Sequence, residues 1–304
     1  MGGSGPVWVT TPLPYASFSH YTVPVYRRKE DTTMKLTRPN LQTTRLAAVV
    51  FCALIVLLAA TAKAATGISG CATISSPGSY YLTKSFSCST DAIIITANNV
   101  TLHLAGYTLT ANANAIHAIS VKSLAIVGPG TAYTADQGCG VQLEGVTYSQ
   151  VIGVTATQNA VGICLRKNAA GTISAHNRIA ANKANVNTGG ITADASLSNV
   201  YLGNECSNNG GGIFIASGQG DLIEGNKCNT NTTGIELTGT SEVVVTNEAD
   251  ANINVGIFVH NSGGNHLKNN EATSNGVDLF DLNPCMTNTW MRDAFATSNS
   301  SCIH

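Results

Sequence analysis

A glycine followed by isoleucine or valine recurs through the second half of the chain at a nearly constant interval. The successive intervals are 22, 28, 22, 22 and 22 residues. The copies begin at Gly140, Gly162, Gly190, Gly212, Gly234 and Gly256. Repeats of roughly 20 to 50 residues are typical of solenoids, in which each coil buries its apolar residues only against neighbouring coils. The interval therefore predicts a chain that winds once per repeat.

Other positions of the repeat are also constant, in most copies, when they are counted back from the glycine. An apolar residue stands eleven positions earlier, asparagine eight and three positions earlier, and alanine or cysteine six positions earlier. Apolar and polar residues alternate as in strands, and the asparagines and glycines indicate turns. No segment has the 3.6-residue period of a helix, which argues against a leucine-rich repeat. We therefore predict an all-β fold whose coils lie about 4.8 Å apart in parallel sheets.

The first 64 residues lack this repeat. Basic residues precede an apolar run over 46–60, and 62–64 reads Ala-Lys-Ala, with small residues at the positions that a signal peptidase reads. This order is typical of a secretory signal peptide, which we predict over 34–64, with 1–33 as an extension from an upstream start. The alternative is an uncleaved membrane anchor, because the run through Ala62 is 17 residues long, the low end for a span.

Residues 65–304 are then the folded domain, and their composition limits its location and partners. They contain nine Lys and Arg against fifteen Asp and Glu, a net charge of −6, so a nucleic-acid partner is not indicated. Their eight cysteines are an even number, as an oxidising compartment allows. We expect a secreted, periplasmic or cell-surface protein, which contacts a membrane only if the signal segment is uncleaved.

Short segments at both ends of this domain complete a recognisable pattern. They are Cys71–Ile74, Pro77–Tyr80, Asn99–Leu104 and Gly106–Leu109 at the start, and Cys285, Asn288–Trp290, Phe295–Thr297 and Cys302 at the end. Together with the repeat unit, they resemble the right-handed parallel β-helix of the pectin-lyase-like superfamily, in particular its NosD-like repeat group. The likeness covers roughly residues 71–302. It implies a single-stranded, right-handed parallel β-helix of roughly nine coils.

Both ends of the predicted solenoid carry a pair of cysteines. We expect disulfides Cys71–Cys88 and Cys285–Cys302, because solenoid ends need capping and short cross-linked loops gain about 3 kcal/mol. The pair formed by Cys206 and Cys228 shares one column of the repeat, which permits either a disulfide or two stacked core residues.

The remaining two cysteines, Cys139 and Cys164, are out of line in the repeat. In extended strands their Cα atoms would lie about 10 Å apart, too far for a disulfide. Either the register shifts there or both thiols stay free. No C-x-x-C or H-x-H cluster occurs, so a zinc site is not predicted.

Alternation after each glycine places two columns of side chains on the outer face. The first column is Gln142, Cys164, Thr192, Phe214, Glu236 and Phe258, and the second is Glu144, Arg166, Asp194, Ala216, Thr238 and His260. The stack of Glu144, Arg166 and Asp194, with neighbours about 5 Å apart, resembles the sites of uronate lyases and epimerases of this superfamily. The resemblance implies a cation, Arg or Ca²⁺, that neutralises the uronate carboxylate, and a base that removes a proton. The alternative is a cross-strand charge ladder without catalytic function.

The 28-residue interval places an insertion between Leu165 and Ile179. It carries Arg166, Lys167, His176 and Arg178, a local basic rim on an acidic protein that favours an anionic partner. His176 is a candidate base, and Lys167 and Arg178 are candidate substrate contacts; the alternative is a solvated insertion. A second group of candidate contacts is Phe214, Glu236 and Phe258, because exposed rings can stack on sugars or be covered by a loop or another subunit.

These features predict an exported β-helix that binds an extracellular, acidic polysaccharide. Whether it also processes the polymer, as a lyase, epimerase or glycoside hydrolase, stays open, because no Asp-Pro-His motif, clustered acidic column or Met/His copper cluster occurs. No metal site is assigned, and Ca²⁺ rests on the resemblance alone. The alternatives are a non-enzymatic surface or adhesion scaffold and a maturation factor for a periplasmic enzyme. The substrate and the oligomeric state are not specified by the sequence.

Overall fold

The computed structural model describes residues 64–304. The predicted extension over 1–33 and all but the last residue of the predicted signal peptide or anchor lie outside the described residues. In the described part the chain winds as an all-β, right-handed parallel β-helix, as the repeat predicted. It has about ten coils, in agreement with the roughly nine that were expected. No helix in this part of the chain is long and apolar enough to cross a membrane.

Each coil contributes short strands to two or three sheets. The strands are β1 (Thr66–Ile68), β2 (Ala72–Ile74), β3 (Gly78–Leu82), β4 (Phe86–Cys88), β5 (Ile93–Ile95), β6 (Val100–His103), β7 (Thr108–Ala111), β8 (Ile116–Ile119), β9 (Ala125–Val127), β10 (Thr131–Tyr133), β11 (Cys139–Glu144), β12 (Gln150–Ile152), β13 (Thr155–Thr157), β14 (Val161–Arg166), β15 (Arg178–Ala180), β16 (Lys183–Asn185), β17 (Gly189–Asp194), β18 (Val200–Leu202), β19 (Gly211–Ala216), β20 (Leu222–Glu224), β21 (Thr233–Leu237), β22 (Val243–Val245), β23 (Val255–Val259), β24 (His266–Lys268), β25 (Glu271–Ala272), β26 (Val277–Asp281), β27 (Thr289–Met291) and β28 (Ala294–Phe295).

These strands form three long parallel sheets around one apolar interior. An eleven-stranded sheet runs β1-β3-β6-β9-β12-β15-β18-β20-β22-β24-β27, and a ten-stranded sheet runs β2-β5-β8-β11-β14-β17-β19-β21-β23-β26. A five-stranded sheet, β4-β7-β10-β13-β16, forms the third side, and β25 pairs with β28 near the end. The strands that contain the six Gly-Ile or Gly-Val dipeptides of the repeat all belong to the ten-stranded sheet.

The register of the ten-stranded sheet matches the prediction. The pairs Ile191–Ile213, Ile213–Ile235 and Ile235–Ile257 lie directly over one another, and these residues are buried. A Cβ atom on Gly162 would lie 2.7 Å from the carbonyl oxygen of Gly190 and 2.9 Å from the Cβ of Ala184. The coil corner therefore requires glycine at the start of the dipeptide and a small residue opposite it.

Asparagine ladders hold the turns between the strands. In one of them, Asn204 Oδ1 accepts hydrogen bonds from the backbone N–H and the side-chain amide of Asn182, at 3.1 and 3.0 Å. The side-chain amide of Asn204 donates to the carbonyl of Ile179 at 2.9 Å and to Asn226 Oδ1 at 2.9 Å. Each amide side chain thus pairs the buried backbone groups that a turn leaves without partners.

The cysteine pairs at the ends are bonded as expected. Cys71–Cys88 and Cys285–Cys302 form disulfides with Cα–Cα distances of 6.0 and 5.6 Å. Cys206, in its column with Cys228, is a free and buried thiol, and so is Cys228. They are therefore two stacked core residues rather than a disulfide.

The expectation that Cys139 and Cys164 are too far apart to bond was wrong. They form a third disulfide with a Cα–Cα distance of 6.1 Å. The register is the predicted one, with Gln142 opposite Cys164, so the error lies in treating the strand as straight. Cys139 is the register partner of Val161, three residues before Cys164, so a Cα–Cα distance of 6.1 Å requires the chain to turn between these positions.

Candidate functional site

The outer face of the ten-stranded sheet carries the predicted columns, but not the predicted charge ladder. Glu144 and Arg166 are register partners, and Asp194 lies in the next coil. No ion pair joins any two of these three residues, and neither Arg166 nor Asp194 has an ion-pair partner among residues 64–304. Glu144 is turned towards the preceding coil instead. Its Oε2 atom lies 2.9 Å from His117 Nε2.

His117 lies between two carboxylates. Its Nδ1 atom is 2.9 Å from Asp91 Oδ2, and the other oxygen of Asp91 accepts the backbone N–H of Asn114 at 2.8 Å. Gln142 donates to Glu144 Oε2 at 3.2 Å. Each ring nitrogen of His117 thus lies within hydrogen-bonding distance of a carboxylate, and the side-chain amide nitrogen of Gln142 lies 3.1 Å from Nε2. The arrangement fixes the direction of the Glu144 carboxylate.

Sequence analysis missed Asp91 and His117. The outward columns were counted only from coils that begin with Gly-Ile, and β8 has no such glycine. The signal was present, because His117 interrupts an apolar strand that reads Ala-Ile-His-Ala-Ile at 115–119. Its register partner in the next coil is Gln142, so the first outward column extends back by one coil to His117.

A groove lies beside this cluster. It has a volume of about 280 Å³ and is lined by residues that include Asn114, Gln137, Gln142 and Arg166. The Cys139–Cys164 disulfide borders it, since Cys139 also lines it. We call this the Arg166 groove. Its polar lining consists of amides and one exposed guanidinium without an acidic partner in the described chain, so it presents donors to a negatively charged group.

The insertion of the 28-residue coil is a compact turn. Asn168 accepts the backbone N–H of Thr172 at 2.8 Å through Oδ1, and its side-chain amide reaches Ser120 Oγ at 2.8 Å. Lys167 is exposed at its start.

The cations of the insertion do not form one basic rim. Arg166 ends β14 of the ten-stranded sheet, whereas Arg178 begins β15 of the eleven-stranded sheet. His176 stacks on Tyr148, with ring centroids 4.9 Å apart, and makes no hydrogen bond to Glu144. The structure therefore does not place His176 as a base beside Glu144 and Arg166.

Aromatic residues cluster on the same face, towards the C-terminal end. Phe258 stacks on His260 at 4.3 Å and meets the edge of Phe280 at 5.4 Å, measured between ring centroids. His260 Nε2 lies 2.9 Å from Glu236 Oε1. We call these four residues the aromatic patch; Phe214 precedes Glu236 in the same column and is half-buried. Five coil spacings, about 24 Å, separate Gln142 from Phe258.

A further asparagine ladder runs through Asn177, Asn199, Asn265 and Asn288, and it contains two buried acids that are not open to a ligand. Among the described residues, Asp221 and Glu242 replace asparagine there, and both are fully buried. Burial, followed by the nearby Asp221 carboxylate, raises the pKa of Glu242 to about 8. Burial also raises the pKa of Asp221. Neither acid was predicted as a site residue, because both occupy ladder positions that asparagine fills in the other coils.

Known proteins share parts of this sequence and of this fold. Residues 119–303 match the family described as "Periplasmic copper-binding protein (NosD)". The chain belongs to the NosD family. A search of curated proteins finds no match.

Solved structures share the fold of this NosD-family chain at low sequence identity. A mutant of the periplasmic alginate epimerase AlgG has a TM-score of 0.50 and 17% identity, covering 77% of this chain and 68% of that one. The surface adhesin PfbA of Streptococcus pneumoniae has a TM-score of 0.49 and 10% identity, covering 77% and 82%. The pectate lyase Pel9A has a TM-score of 0.47 and 12% identity, covering 78% and 68%. These similarities concern the fold alone.

The donor set of the described chain does not fit the copper in the family description. Within residues 64–304, no group of three or more His, Cys, Asp or Glu side chains is placed to hold a metal ion. Six of the cysteines there are in disulfides. The two free thiols, Cys206 and Cys228, are fully buried, and burial raises the pKa of Cys206 well above its usual range.

Proposed function

We propose that this NosD-family protein binds an acidic polysaccharide along the outer face of the ten-stranded sheet. The observation that carries the proposal is the free guanidinium of Arg166. Its register partner Glu144 is held by His117 in the preceding coil, so Arg166 keeps its full charge for a ligand in the Arg166 groove. An unpaired guanidinium among amide donors suits the carboxylate of a uronate.

The shape of the face favours a polymer over a small molecule. The ten-stranded sheet continues without interruption from the Arg166 groove to the aromatic patch. Phe258 and His260 there offer rings on which a sugar can stack, with the carboxylate of Glu236 beside them for hydroxyl groups. A ligand that uses both places must be about 24 Å long.

We infer that binding takes place outside the cytoplasm. Three disulfides in the described chain are typical of an oxidising compartment, and the family description is periplasmic. A signal peptide over 34–64 would deliver the protein there, and secretion or display on the cell surface is the finer form of this proposal.

Titration calorimetry with polygalacturonate and alginate tests the proposal, with a neutral glucan as the negative ligand. We expect affinity for the acidic polymers that falls with salt. Arg166→Gln should weaken it about ten-fold, the value of one charge-assisted hydrogen-bonded contact. Arg292→Gln is the matched control, because Arg292 is exposed near the C-terminal end and outside the groove. Equal binding by the Arg166 variant, or no binding to any acidic glycan, contradicts the proposal and favours a scaffold or maturation role.

A second candidate function is processing of the bound polymer, favoured by the Asp91–His117–Glu144 cluster. Glu144 Oε1 makes no hydrogen bond within residues 64–304, and His117 holds the carboxylate in place. In an elimination, Glu144 would accept the proton next to the uronate carboxylate, which Arg166 neutralises. The electron pair would form a C=C bond as the glycosidic C–O bond breaks, the leaving oxygen would take a proton from solvent water, and Glu144 would return the proton it accepted to the hydroxide so formed.

Ultraviolet absorbance of unsaturated uronates measures this reaction. Glu144→Gln should abolish the signal while the calorimetric affinity stays within about two-fold, because the amide keeps the shape of the side chain. Binding without any absorbance change in the parent protein would reject elimination and leave binding standing.

A further inference from the structure

One column of turn residues on the other side of the solenoid contains two rings where the neighbouring coils have small residues. All seven positions have a left-handed backbone, with φ between 50° and 70°. The column reads Ser123, Tyr148, His176, Ser198, Gly220, Ser241 and Gly264. Bulky side chains rarely adopt this conformation, and the turn itself is built equally well from serine or glycine. The two rings are therefore not needed for the turn.

The two rings form an exposed platform. The centroids of Tyr148 and His176 lie 4.9 Å apart with their planes 15° from parallel. Tyr148 is 66% exposed, although large aromatic side chains are usually covered. An exposed ring pair at turn positions where the neighbouring coils have serine or glycine points to a ligand-binding role.

A cavity of about 420 Å³ opens beside this platform. That volume is within the range of small-molecule pockets, roughly 300–1,000 Å³. Its polar side chains include Ser123, Gln150 and Arg178, and it has no carboxylate in its lining. Arg178 is exposed and has no ion-pair partner in the described chain. The cavity thus combines a ring platform, neutral hydrogen-bonding groups and one free positive charge.

We infer that this cavity is a second binding site, for a single sugar ring that carries a negative charge. The apolar face of the sugar would stack on Tyr148 and His176, its hydroxyl groups would meet Gln150 and Ser123, and its carboxylate would pair with Arg178. The site lies on the eleven-stranded sheet and shares no lining residue with the Arg166 groove. The inference can therefore be tested independently of the proposed function.

The repeat supplies substitutions that the fold already accommodates. Tyr148→Ser and His176→Ser copy the serines of the same column, and Arg178→Gln copies its register partner Gln150. All measurements use the Arg166→Gln background, in which binding at the Arg166 groove is weakened about ten-fold. The probes are a methyl galacturonoside and the neutral methyl galactoside, titrated by saturation-transfer NMR, with circular dichroism and melting midpoints to confirm folding.

In that background, the uronate should bind more tightly than the neutral sugar. Arg178→Gln should reduce uronate affinity to that of the neutral sugar, and Tyr148→Ser should weaken both about ten-fold. His176→Ser should likewise weaken binding of both sugars. The inference is overturned if folded Tyr148→Ser binds the uronate as well as the background does. Equal affinity for the two sugars, or no saturation transfer at all, also overturns it.

Discussion

Glu242 Oε2 accepts the backbone N–H of Asp221 at 2.6 Å in the interior of the solenoid. Both side chains are fully buried, and they interrupt a ladder whose neighbouring members are Asn199 and Asn265. Burial, with the charge of Asp221, raises the pKa of Glu242 to about 8. Glu242 is therefore a neutral acid at pH 7, and the interior holds a proton that the unfolded chain would release.

Stability should consequently fall as the pH rises. The unfolded chain releases the Glu242 proton near the ordinary pKa of 4.5, whereas the folded protein keeps it up to a pKa of about 8. Between these two pH values the folded state binds more protons than the unfolded chain does. Each unit of rising pH therefore lowers the contribution of Glu242 to the free energy of unfolding by at most about 1.4 kcal/mol. The raised pKa of Asp221 acts in the same direction.

Melting midpoints between pH 5 and 8 measure this effect in the parent protein and in Glu242→Gln. The amide cannot ionise, so the variant should lose stability with pH less steeply than the parent. Glu271→Gln is the control, because Glu271 is exposed, and its slope should equal that of the parent. Parallel curves for the parent and Glu242→Gln would show that Glu242 does not hold the proton.

The asparagine ladders should be sensitive to single substitutions. Asn204→Ala removes the acceptor of the buried backbone N–H of Asn182 and a donor to the carbonyl of Ile179. We expect a loss of about 2–4 kcal/mol in the free energy of unfolding, measured by urea titration. The matched variant Asn112→Ala removes an exposed side chain and should change stability by less than about 0.5 kcal/mol. Similar losses in both variants would mean that the ladder contributes no specific stability.

The fold and the outward columns could be predicted from the sequence for a physical reason. Gly-Ile marks a corner where only glycine fits, as Gly162 shows, so counting from it gives the register directly. The side-chain contacts were not predictable in the same way. Glu144 could pair with Arg166 in the next coil or with His117 in the preceding one, and only the structure shows that it pairs with His117. Bends of the chain, such as the one beside Cys139, are likewise absent from a pattern of intervals.

The thiol groups offer a test of the cysteine pairing. Cys206 and Cys228 are the free cysteines of the described chain and are fully buried. Because the thiolate is the reactive form and burial raises the pKa of Cys206, iodoacetamide should label neither residue in the folded protein. Both should react in guanidinium without reductant, as peptide mapping by mass spectrometry would show. Labelling of Cys139 or Cys164 under those conditions would contradict the third disulfide.

The charge of Asp194 should oppose binding of an acidic polymer. Asp194 is exposed, lies one coil beyond Arg166 in the second outward column and has no ion-pair partner in residues 64–304. Asp194→Asn should therefore tighten polygalacturonate binding by about two- to five-fold in low salt, the usual value of one exposed charge pair. Glu271→Gln, remote from this face, should leave calorimetric affinity unchanged. Weaker binding by Asp194→Asn would instead make Asp194 a substrate contact.

The aromatic patch should matter only to ligands long enough to reach it. A short oligogalacturonide held in the Arg166 groove ends before Phe258, since about 24 Å separates them, whereas a longer one can stack on the Phe258 ring. Phe258→Ala should weaken the long oligosaccharide about ten-fold and leave the short one unchanged. Tyr81→Ala removes a ring that is 40% exposed on the eleven-stranded sheet, and it should affect neither. An equal loss of affinity for both lengths would indicate a damaged fold. Phe258 lies in line with the groove on the same face, so an unchanged affinity for the long ligand would show that this ligand does not extend along the sheet.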